Sequence, residues 1–293
     1  IANYVRNMVK NGTIDAPDLI TCGRAIMPAS EGDGNWPMAK HIALSDGGQE
    51  VLKNARTEIG MGADFVKIFA SGAAANPAGQ VDQSIMMPEE IRAAVEAASR
   101  KGTYVAAHCH ADGAIRSCVE NGVYTIEHAT LMKDETLEKL IALDGKVRLI
   151  PTLAVMYIAD GPRKAYWQAR LGPMFDHCTA MMERAYHAGM ALGFGTDCAA
   201  GSFEYENGIE FRFRKENCRM KDLDILLQAT KINAEIAGIS GSTGQIKAGL
   251  QADLLLIDGK PDLDISSMYH VPFKVWKRGK LVRDNSGKQS AIR

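Results

Sequence analysis

The stretch "TYVAAHCHADGAIRSCVENGVYTIEHA" (103–129) reads as strand, helix, strand. An apolar run ends in His108-Cys109-His110, an amphipathic segment follows over about 111–121, and a second apolar run ends in His128. Two strands joined through a helix run parallel, with a right-handed crossover. The same rhythm continues on both sides. Upstream, "DLITCGRAI" (18–26) precedes "GGQEVLKNARTEIGMG" (47–62), and "DFVKIFA" (64–70) precedes "MPEEIRAAVEAASRKG" (87–102). In the last of these, Pro88 suits a first helical turn, and Glu89 and Glu90 complement the helix dipole. Downstream come "KDETLEKLIAL" (133–143), "VRLIPTLAV" (147–155), a helical region to about 188, "MALGFGTDC" (190–198), and helices to about 238. Six strand-helix units result, the pattern of an open doubly wound sheet or a closed barrel.

The tail breaks this rhythm. "GQIKAGLQADLLLIDGKPDLDI" (244–265) and "FKVWKRGKLV" (273–282) look like short strands between Gly and Pro turns, with "KRGK" a hairpin tip. The expected division is a barrel domain over 1–239 and a small β portion over 240–293.

Composition narrows the partners. The 293 residues are 46% hydrophobic and 24% charged, with a net charge of −1. That is ordinary globular composition with no basic footprint for nucleic acid or an anionic membrane, so the expected partner is a small molecule. A homo-oligomer stays open. The six cysteines (22, 109, 118, 178, 198, 218) include no Cys-x-x-Cys pair, which argues against a zinc knuckle or a disulfide-rich module and points to a reducing, cytoplasmic setting. No apolar run approaches the roughly 20 residues of a membrane span. The chain begins at Ile1 within a helical pattern, so a start further upstream is expected.

His108, His128 and Asp197 each close a strand, in "VAAHCH", "TIEHA" and "GFGTD". In a parallel barrel those ends share one mouth, where such folds build their active sites. Two neutral imidazoles and a carboxylate are typical ligands for Zn²⁺ or a similar ion. Lys67, in the middle of "DFVKIFASGA" (64–73), belongs to the same set. A buried ammonium must be paired, modified or engaged in chemistry. Reacted with carbon dioxide it becomes a carbamate, whose two oxygens can bridge two metals. Simpler roles stand beside these: Lys67 pairing with Asp64 or Glu58, and Asp197 capping a helix. His110 shares the face of His108 and is assigned to substrate contact. Glu127 should point away from His128, and Cys109 and Cys198 outward.

Together, "VKIFASGA", "VAAHCHADGAI", "VYTIEHAT", "GFGTD" and the closing "AGLQADLLLID" resemble the amidohydrolase superfamily, in the branch of imidazolonepropionase-like and prolidase-like hydrolases. The resemblance implies a TIM-type (β/α)8 barrel with a flanking β-sandwich. It also implies a carboxylated Lys67 bridging two metals, His108 and His128 on one of them, and Asp197 on the other as general base. The activity implied is hydrolysis of an amide or peptide-like C–N bond in a small substrate by metal-activated hydroxide, with His110 and Tyr157 touching substrate. One departure stands out. The family's first strand carries a His-x-His pair, and none lies upstream of Lys67. The expectation is therefore a barrel lacking its first two strand-helix units, holding one zinc rather than two. The rival is a non-catalytic metal-binding paralogue or an inactive fragment.

Overall fold

The computed structural model describes residues 1–31, 39–76, 79–156, 164–197 and 208–286. Contacts divide the chain into two compact units, Ile1–Ile150 and Pro151–Arg293. The first unit opens with α1 (Ala2–Lys10) and holds a six-stranded parallel sheet. Its strands are β1 (Ala25–Met27), β2 (Ile42–Leu44), β3 (Val66–Phe69), β4 (Val105–Ala111), β5 (Thr125–Leu131) and β6 (Arg148–Ile150), in the order β2-β1-β3-β4-β5-β6. Helices α2 (Gly47–Gly60), α3 (Pro88–Ser99), α4 (Asp112–Glu120) and α5 (Asp134–Ala142) connect them. The parallel sheet and its crossovers match the sequence reading, but the strands expected over 18–26 and 147–155 shorten to Ala25–Met27 and Arg148–Ile150, and one strand is exchanged for another. Ile42–Leu44 joins the edge beside β1, whereas 190–197 forms no ladder among the described residues. A three-residue strand is too short to show a periodicity.

Register explains which face is which. Ile26, Ile68, Ala107, Ile126 and Leu149 are consecutive partners across five strands, and every one is fully buried. That apolar row is core. The rows on either side point the opposite way and carry Lys67, Thr125 and Arg148 in one, His108 and Glu127 in the other. The polar chemistry of this unit is therefore gathered on one face. All seven residues of β4 are buried, as expected for a central parallel strand covered on both sides.

Two helix starts are tied by one acid. Glu90 accepts from the Met87 N–H at 2.8 Å, at the start of α3, and from the Gly47 N–H at 2.7 Å, at the start of α2. A nearly buried carboxylate thus satisfies orphan donors of two neighbouring helices.

The second unit contains α6 (Lys164–His187), α7 (Ile209–Glu216), α8 (Asp222–Leu227), a π-helical turn over Gln228–Ile232 and α9 (Asn233–Ile236). An antiparallel sheet of β7 (Leu254–Leu256), β8 (Lys274–Lys277) and β9 (Lys280–Asp284) follows. Its tip is the expected "KRGK", with Arg278 and Gly279 both left-handed, the requirement of a two-residue primed turn.

Candidate metal centre

His108 and His110 lie two residues apart on β4, so both imidazoles leave the strand on the face of Lys67 and Phe69. Phe69 is the register partner of His108, and their rings lie 4.6 Å apart. His128 needs a different explanation. Its register partner is Cys109, whose thiol packs on the helix side, 3.6 Å from that of Cys118 in α4. Regular alternation would send His128 to the helix side as well. Two consecutive left-handed residues, His128 (φ 69°) and Ala129 (φ 53°), prevent this. One extra residue enters β5 between the pairs Cys109↔His128 and Ala111↔Leu131, a bulge that turns the imidazole over. Its ring centroid lies 4.7 Å from that of His108 and 4.9 Å from that of His110. Each non-glycine residue held this way costs about 1–3 kcal/mol, and such strain concentrates at functional sites.

All three histidines are buried, and their ligand atoms lie within 4.8 Å of one another. His108 Nε2 lies 3.3 Å from the Gly72 carbonyl oxygen. A carbonyl only accepts, so Nε2 carries the hydrogen and the lone pair sits on Nδ1. His110 is fixed at two points: its N–H donates to Ser71 Oγ at 2.7 Å, and its Nδ1 bonds Thr130 Oγ1 at 2.8 Å. Burial, reinforced by the neighbouring imidazoles and Lys67, holds His108 and His128 well below the usual histidine value of 6.5. At neutral pH they are uncharged and have lone pairs to offer. Three converging imidazoles, two of them held neutral by burial, fit Zn²⁺ or a similar divalent ion.

Lys67 lies on the same face, two rows nearer the strand start than His108, and its Nζ is 3.3 Å from Glu127 Oε2. Neither pairing considered for it from sequence is made. Asp64 bonds Arg6 at 2.6 Å, and Glu58 bonds Arg24 at 2.7 Å. Glu127 does not point behind the sheet, because the bulge begins only after it. Register places it beside His108, where Thr125 Oγ1 donates to its Oε1 at 2.8 Å. Asp197 belongs to the second unit, exposed and left-handed (φ 53°), and Tyr157 and Cys198 lie outside the described residues. Sequence reasoning placed His110 on the correct face yet missed it as a member of the imidazole cluster, although a His-x-His on one strand was the signal. Glu127 as partner of Lys67 had no signal, since the bulge behind it is invisible in composition.

The chain belongs to the Amidohydrolase family, which matches residues 1–282. Ochratoxinase from Aspergillus niger is 26% identical over 308 residues, covering 95% of this chain and 63% of the relative. The chain thus spans about 63% of the length of the curated relatives it matches. A crystal structure of a prolidase complexed with N-methylphosphonate-L-proline is 29% identical with a TM-score of 0.87, over 97% of this chain and 74% of that one. A Xaa-Pro dipeptidase with bound methionine is 26% identical with a TM-score of 0.80, over 97% and 72%. The resemblance drawn from the sequence motifs is thereby borne out. Among the described residues no helix is long and apolar enough to cross a membrane.

Proposed function

We propose that the protein is a metal-dependent hydrolase of amide or peptide-like C–N bonds in small substrates, with zinc the favoured ion. The observation that carries this reading is the cluster of three buried imidazoles on the polar face of the sheet. Similarity to a prolidase, a Xaa-Pro dipeptidase and ochratoxinase supports the substrate class: a small amide that includes an amino acid. His108 and His128 would hold the ion together with Lys67 as its carbamate, and Asp197 would join this set. When bound, a divalent cation polarises the substrate carbonyl and makes hydroxide accessible near neutral pH. Asp197 takes up a proton from the attacking water and returns it to the leaving nitrogen. His110, and Tyr157 by its place in the sequence after β6, orient the substrate. The barrel domain is taken as 1–239, and 240–293 as a sandwich portion.

The test is a zinc titration run beside hydrolysis of Xaa-Pro dipeptides and N-acyl amino acids. Chelation and His108→Ala should each remove both metal and turnover. Turnover that survives both would sink the proposal, and tight metal binding with no turnover across the panel would favour the non-catalytic paralogue.

A further inference from the structure

The segment 190–197 has the composition of a strand but pairs with no strand among the described residues. One side chain takes the place of a partner. Asn233 Oδ1 accepts from the Phe194 N–H at 2.8 Å, and Asn233 Nδ2 donates to the Phe194 carbonyl oxygen at 2.8 Å. This is the two-point pairing a neighbouring strand would supply. Helix phase brings the amide there. Asn233 directly follows the π turn Gln228–Ile232, which adds one residue to the α-helical repeat and so rotates everything after it by about 100°.

The surroundings make the contact rigid. The Phe194 ring packs on Arg214, with Cζ 4.6 Å from the centroid, and on Phe211, with centroids 4.5 Å apart. Arg214 donates to Gln228, the first residue of the π turn, at 2.6 Å. Arg214 also bonds Glu210 at 2.8 Å, whose other oxygen accepts from the Leu153 and Ala154 N–H groups. Three residues beyond Phe194 comes Asp197, itself left-handed.

We propose that Asn233 is a positioning residue: its amide replaces the missing strand partner of Phe194 and thereby sets where the Asp197 carboxylate lies. The proposal rests on Asp197 being the proton acceptor. A side-chain clamp fixes one residue, through the peptide units on either side of it, instead of a row of them. The backbone is held at Phe194 while the residues leading to Asp197 keep their turn.

Two variants test it. Asn233→Ala removes both bonds, and Asn233→Asp keeps the acceptor for the Phe194 N–H in nearly the same shape, which guards against a folding failure in the first. Amides of 190–197 should exchange about tenfold faster in Asn233→Ala, the factor expected for losing a net hydrogen bond, while those of α7 stay unchanged. For Xaa-Pro dipeptide hydrolysis kcat should fall with KM held, and Asn233→Asp should be intermediate in both readouts. Wild-type exchange across 190–197 in both variants overturns the proposal. So does faster exchange spread over the whole second unit with kcat per folded molecule unchanged. Asp197→Asn separates the two layers. Hydrolysis surviving in Asp197→Asn, with exchange still accelerated in Asn233→Ala, sinks the proton-acceptor role and leaves the clamp on the segment standing.

Discussion

Lys67 of β3 and Glu127 of β5 face each other across the intervening β4, Nζ to Oε2 at 3.3 Å, with neither side chain more than a quarter exposed. If Lys67 serves as a carbamate, its charge reverses from positive to negative and Glu127 becomes a like-charged neighbour. Glu127→Gln should then raise carbamate occupancy, read by carbon-13 NMR under labelled carbon dioxide, at a stability cost of about 1 kcal/mol or less. Lys67→Ala should abolish hydrolysis, with partial rescue by short-chain carboxylic acids. Activity retained in Lys67→Arg would rule the carbamate out, since guanidinium keeps the charge but cannot be carboxylated.

Acid should destabilise the metal-free protein through its imidazoles. His108 and His128 have folded values well below 6.5, with burial the main cause. Between the unfolded and folded values the unfolded chain binds more protons, so stability falls as pH drops below about 6.5 and levels off above it. Each of these histidines contributes a slope of up to about 1.4 kcal/mol per pH unit in that window. Denaturant melts from pH 7.5 to 5 measure it. A His108→Gln, His128→Gln double variant should flatten the curve.

His110 has two candidate roles that a titration separates. As a third ligand, His110→Ala should weaken zinc binding at least about tenfold. As a substrate contact alone, it should raise KM and leave zinc affinity unchanged.

Ala129 is fully buried at φ 53°. Ala129→Gly should change stability by less than about 1 kcal/mol, because relief of strain offsets added chain entropy. Ala129→Val adds a β-branched side chain in a left-handed, packed position and should cost about 2–5 kcal/mol. Urea melts compare the two.

Arg214 is buried completely and bonds Glu210, Gln228 and the Pro151 carbonyl oxygen. Arg214→Met strands the Glu210 carboxyl, which burial already pushes up despite its partner, and should cost about 3–5 kcal/mol. A Glu210→Leu, Arg214→Met double variant should recover much of that loss.

What the sequence made legible follows from periodicity. The helices at 47–60, 88–99, 112–120 and 134–142 each carry an apolar stripe, and the strands at 66–69, 105–111 and 125–131 set Lys67, His108, His110 and His128 among apolar neighbours, polar groups that need a reason to be there. The positions of Lys67 and His108 on one face follow from counting by twos. His128 does not. Strict alternation places it with Cys109 on the wrong side, and only the left-handed pair corrects this, a backbone choice that neither histidine nor alanine advertises. Strand 42–44 was too short to see. At 190–197 the pattern of a strand is present, but its hydrogen-bond partner is an asparagine 39 residues on, and no local signal can report such a substitution.

All three imidazoles come from a single β4-α4-β5 unit, His110 and its partner Thr130 being only 20 positions apart. Closing a loop of that size is entropically cheap compared with joining distant strands, and local contacts of this kind form early in folding. A divalent ion met by the nascent chain could therefore be captured as soon as this one supersecondary unit has assembled, before the second unit leaves the ribosome. Metal availability during synthesis, and not only afterwards, would then govern how many copies of this unit carry an ion.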